Sequence, residues 1–168
     1  MKIRTSFGIL LLLFALTSCK QAENNQHEVA QQNNAASVAP AELKLTPKFQ
    51  TTLRKEMQEI QSAMQQILPL LVQGESEKVA QLAEQIHNSF ILKKTLTPDE
   101  LQALVKLLPA PFMKMDRAFH SESLNLAAAA KAYDFKKSAA LYGAMVNSCV
   151  NCHMQFAQEQ FPELQKQR

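Results

Sequence analysis

The chain has no tryptophan, only three glycines and only three cysteines in 168 residues. Each scarcity excludes something. Poverty in glycine, with abundant Ala, Leu, Gln, Glu and Lys, points away from sheet and towards helices. Three cysteines cannot form a closed disulfide framework, because the number is odd. No segment alternates apolar and polar residues as a half-buried strand does, and there are no internal repeats. An excess of one charge is missing as well. If the segment holding Lys2 and Arg4 is removed, 16 basic residues (18 − 2) face 15 acidic ones. That balance gives no electrostatic footprint for nucleic acid.

The N-terminus has the layout of a bacterial export signal. Lys2 and Arg4 supply a positive start, and Phe7 to Ala15 supply an apolar stretch too short to span a bilayer. Leu16-Thr17-Ser18-Cys19 resembles the lipobox of bacterial lipoproteins, which implies a signal peptide over 1–18 and an acylated Cys19. Two or three acyl chains make a stable membrane anchor where one does not. Lys20 follows the cysteine, where retention at the inner membrane often uses Asp, and so favours the outer membrane. Residues 19–45, rich in Gln, Asn, Ala and Glu, read as a lipidated tether with a reach of roughly 25–30 Å.

Four helical stretches follow. Thr46-Pro47 opens the first with an N-cap and a proline at the first helical position. Leu53, Met57, Ile60, Met64, Ile67 and Leu71 form its expected seam, and Gly74 its left-handed stop. The second runs from about Glu75 to Lys93 or Lys94, with Val79, Leu82, Ile86 and Phe90 on one face. Thr97-Pro98-Asp99-Glu100 reads as a capping box before a short helix, and Pro109 and Pro111 precede the third long one. Its face is Phe112, Met115, Phe119, Leu126 and Ala130, with Ser123 in the gap. Asp134 caps the last helix, whose stripe is Phe135, Ser138, Tyr142, Met145, Cys149, Cys152 and Phe156, and Pro162 marks its expected end. The fold class is all-α, an antiparallel four-helix bundle over 46–162, with 163–168 a tail.

The last stripe carries Cys149-Val150-Asn151-Cys152-His153. C-x-x-C-H is the attachment signature of c-type haem: two thiols form thioethers to the vinyl groups, and the adjacent histidine reaches the iron. A zinc half-site, a thiol redox pair and chance are the competing readings. A zinc half-site is usually built on a turn and needs two further ligands. A thioredoxin-like pair sits at a helix start beside a strand. Here the motif lies late in an all-helical chain, with both thiols and His153 in one helix sector. That context agrees with one covalent haem c per chain.

These features together resemble the cytochrome c-prime family. The likeness rests on four helices, a haem motif late in the last of them, an aromatic three residues after its histidine (Phe156), and the turn Ala132-Tyr133-Asp134-Phe135. It covers residues 46–162. It implies His153 as proximal ligand, Arg54 as a propionate partner, and a distal face from the first helix. Met57 is a candidate sixth ligand there; Met64, Met145, His87 and His120 are weaker ones. The family's basic residue after the aromatic is absent, replaced by Ala157.

The expected function is electron transfer between redox partner proteins by a periplasm-facing, lipid-anchored cytochrome that is not an enzyme. An open-site haem binding NO or CO is the alternative, and a non-haem interaction module is a third reading. The resemblance leaves a homodimer open.

Overall fold

The structure, a computed structural model, describes residues 42–166. The expected signal peptide, Cys19 and the tether as far as residue 41 lie outside the described residues. Within them the protein is all-helical, with six α-helices and no strand. These are α1 (Pro47–Gln73), α2 (Ser76–Asn88), α3 (Leu92–Thr95), α4 (Pro98–Leu107), α5 (Ala110–Lys131) and α6 (Phe135–Phe156), followed by a 3-10 turn over Pro162–Gln165.

The helix ends follow local chemistry. Thr46 Oγ1 accepts from the Phe49 amide, and Gly74 stops α1 at φ 76°, with the Glu75 amide returning to the Leu70 carbonyl at 2.9 Å. Thr97 and Glu100 complete the capping box of α4. Asp134 caps α6 by accepting from the Lys137 amide at 3.1 Å.

Four long helices pack in chain order, α1 on α2, α2 on α5 and α5 on α6, while α1 and α6 touch more sparsely. The ring of Phe135, at the start of α6, lies 3.9 Å from where a Cβ on Gly74 would stand. At the opposite end, Glu42 accepts from the amides of Gln158 and Glu159 at 2.9 and 3.4 Å. The start of α1 and the end of α6 therefore share one end of the molecule, here the motif end, and the two interhelix turns share the other. Ile60, Met64, Ile67, Val79, Ala83, Ile86, Leu126 and Met145 fill the core between them. Fully burying a side chain of that size stabilises by roughly 1.5–3 kcal/mol. A second cluster joins Phe49 to Leu96 and Leu104 under α3 and α4.

Four sequence expectations are corrected. The α1 seam holds at Ile60, Met64 and Ile67, but towards the motif end the buried face moves to Thr52 and Glu56, leaving Met57 36% exposed. The cause lies in the second correction. The second helix does not run on to Lys93; α2 stops at Asn88, Ser89 turns out at φ 68°, and α3 starts separately. The freed amides of Phe90, Ile91 and Leu92 need an acceptor, and Glu56 supplies it at 2.9, 2.5 and 3.0 Å, with the Ser89 hydroxyl donating at 2.8 Å. Third, α6 ends at Phe156 rather than at Pro162, and Glu42 takes up two of the amides beyond it. Fourth, Phe135 does not join the buried stripe; it is exposed over Gly74.

Candidate functional site

The site is built on the last two turns of α6. Cys149 and Cys152 are half-buried and unpaired, three residues apart on the stripe that continues from Ser138, Tyr142 and Met145. Burial pushes both thiols up. That of Cys152 reaches about 11, with the negative charges of Asp116 and Cys149 adding to the effect of burial. Both are therefore neutral thiols near pH 7. A catalytic thiol redox pair needs the opposite, a lowered thiol in an electropositive setting.

His153 is half-buried, and burial lowers its pKa, which keeps the imidazole neutral and able to ligate. Its ring stacks on Phe161, centroids 4.2 Å apart and planes within 9°. Phe156 is buried and meets Phe112 edge-on at 5.4 Å, which fixes the end of α6 against the start of α5. Among the described residues no group of three or more His, Cys, Asp or Glu side chains is gathered to hold a metal ion. Among the described residues the cysteine pair is therefore not joined by the two further ligands a zinc site would need.

The Tyr142 hydroxyl donates to the Met64 carbonyl at 3.1 Å and sets α6 against α1. The helices run in opposite directions and rise about 1.5 Å per residue. Counting seven residues from that bond towards the motif end pairs Met57 on α1 (64 − 7) with Cys149 on α6 (142 + 7). Ten residues lead likewise to Arg54 and Cys152. Arg54 is exposed, and its guanidinium has no carboxylate partner among the described residues. Of the weaker distal candidates, Met64 and Met145 are buried in the core at 7% and 0% exposure.

His87 and His120 are engaged with each other's helices. His87 Nδ1 lies 2.8 Å from the His120 carbonyl, and His120 Nδ1 lies 2.8 Å from the Ile86 carbonyl. Because both partners are carbonyls, both Nδ1 atoms donate. His120 Nε2 then lies 3.6 Å from Asp116 Oδ1. Burial raises the Asp116 carboxyl, opposed by His120 and reinforced by Glu56. The spacing of four between Asp116 and His120 on one helix is the sequence signal for this pair. Asp116 and both histidines line a cavity of about 430 Å³ between α1, α2, α4 and α5. None of Cys149, Cys152 and His153 lines it, but Asp116 lies close enough to Cys152 to act on its thiol.

Comparison of the chain with protein-family models, with curated proteins and with solved structures gives no match. The functional reading therefore rests on the site itself.

Two further residues escaped sequence reading. Glu56 stands one step before the expected seam residue Met57, and only the helix break at Ser89 shows why it is buried. Phe161 lies eight residues beyond His153, with no periodic relation that would connect them.

Proposed function

We propose that the chain is a mono-haem c-type cytochrome on an antiparallel four-helix bundle formed by α1, α2, α5 and α6, resembling cytochrome c-prime. The observation that carries this reading is the state of the motif. Two unpaired neutral thiols and a neutral imidazole sit together on one half-buried face of α6. This donor set suits the group the motif implies: Cys149 and Cys152 would hold it through thioethers, and His153 would bind its iron. The bound haem supplies reversible one-electron chemistry between ferric and ferrous iron.

The chain's own residues have the remaining roles. The Phe112–Phe156 contact holds the end of α6 in place, and Arg54, paired with Cys152 by residue count and without a carboxylate partner, is available to a propionate. Met57, paired with Cys149 by that residue count and outside the core, would be free to turn to the iron without opening the hydrophobic cluster. Six-coordination through that thioether favours electron transfer, because a thioether raises the potential and leaves no open position. Export, acylation at Cys19 and a tether ending near the motif end suit a carrier shuttling between redox partner proteins at the periplasmic face of a membrane, the outer one by the residue after Cys19.

The exposure of Met57 also favours a second reading. If it stays outside the haem face, the sixth position is open to NO or CO. The test is the visible spectrum of the purified protein, ferric and ferrous, with and without CO. A Met–iron charge-transfer band and indifference to CO support the carrier. A high-spin spectrum that CO shifts sinks it in favour of gas binding. A protein carrying intact free thiols and no haem, expressed with its export signal, sinks both.

A further inference from the structure

We infer that the cavity between α4 and α5 binds a small amphipathic carboxylate, a molecule with a medium-length apolar body and one anionic head. The volume, about 430 Å³, falls within the range of small-ligand pockets. Its wall is unevenly divided. Leu53, Leu101, Leu104, Leu108, Phe112 and Leu124 make a continuous apolar surface, and Leu104 and Phe112 are buried. Lys93 and Arg117 lie on the wall as well, and both, like Leu124, are exposed, so the cations belong to the mouth and Leu104 and Phe112 to the interior.

Asp116 is the one acidic side chain among the lining residues, and its carboxylate is turned to His120 Nε2 at 3.6 Å. The two histidines have their Nδ1 donors committed to carbonyls. What remains is an apolar slot with two cations at its opening. A neutral chain of the same length gains the apolar burial but not the charge-assisted hydrogen bonds, and acetate gains the reverse. Neither Cys149 nor Cys152 lines the cavity, although Asp116 on its wall lies close to Cys152.

The test is isothermal titration of the full purified chain with decanoate, decanol and acetate. Decanoate binds at one site per chain, decanol at least about tenfold more weakly, and acetate not measurably. Arg117→Gln, at an exposed position, weakens decanoate about tenfold and leaves decanol unchanged. Ser121→Trp, exposed and on the same wall, blocks both ligands while helical circular dichroism stays intact. Equal binding of decanoate and decanol overturns the inference. So does decanoate binding that neither substitution alters, or an absence of binding in the unsubstituted chain.

Discussion

The Ser89 hydroxyl donates to the Glu56 carboxylate at 2.8 Å, joining residues 33 apart in sequence at the point where α2 breaks. Ser89 has φ 68°, a conformation uncommon for a residue with a Cβ, and the bond helps hold it there. The same carboxylate satisfies three backbone amides in a setting 1% exposed. Glu56→Gln presents an amide donor to some of those amides, and Glu56→Leu leaves all of them bare. Both are expected to lower stability by about 2–4 kcal/mol, Leu more than Gln, read from urea unfolding.

Acid should have a related effect. Burial alone would raise the Glu56 carboxyl, but its amide and hydroxyl donors outweigh burial and hold it below the usual range. A depressed folded-state pKa means stability that is present above the ordinary glutamate value and lost as pH falls through the folded one. Unfolding midpoints should therefore drop on acidification, and the drop should shrink in Glu56→Gln.

The thiols predict an effect at the other end of the pH scale. Cys152 is pushed up to about 11, against about 8.5 for a free thiol. Its contribution to stability is whole below about pH 8.5 and fades as pH rises through 11. In protein made without haem, stability should fall across that window, and Cys152→Ser should shrink the fall, with the remainder owed to Cys149. Iodoacetamide at pH 8 should label Cys152 on the order of a hundredfold more slowly than a free cysteine. In the haem-loaded protein the thiol should not react at all.

Tyr133 closes the turn before α6 at φ 56°, with its amide on the Ala130 carbonyl at 2.8 Å and the Asp134 amide on the Ala129 carbonyl at 3.0 Å. That is the left-handed position a glycine usually takes. The ring is 61% exposed, so little packing is lost by removing it. Tyr133→Gly should stabilise the chain by up to about 1 kcal/mol, whereas Tyr133→Ala should not, a contrast read from thermal melts.

Substitutions at the motif separate its residues. His153→Ala should leave covalent haem in place but change the visible spectrum in both oxidation states. Met57→Ala should abolish a Met–iron charge-transfer band and open the iron to CO. If Met57→Ala leaves the spectrum unchanged, Met57 is not a ligand.

Much of the fold was legible because it rests on local chemistry. Thr46, Gly74, Thr97, Glu100 and Asp134 act through neighbours three to five residues away, and each does what its position implies. The α6 stripe was legible from Ser138 to Phe156 because three-four spacing alone defines it. The α1 seam failed at Met57 because a tertiary demand, the amides freed at the α2 break, turned Glu56 inward, and no pattern within α1 records that demand. The same limit hid the cavity, whose wall is assembled from residues of α1 to α5 that no single helix's pattern brings together. At the motif, spacing identified Cys149, Cys152 and His153, while their electrostatic state depends on Asp116, more than thirty residues away.

The Glu42 carboxylate grips the first amides beyond α6. The chain therefore enters the helical unit beside the residues that follow His153 and Phe156, not at the Gly74 end. The entry point lies at the motif end, and the turns at Gly74 and Tyr133 lie at the other. The point of entry and the motif are thus one region of the molecule, so a substitution at Glu42 that frees the entering chain also loosens the residues following His153.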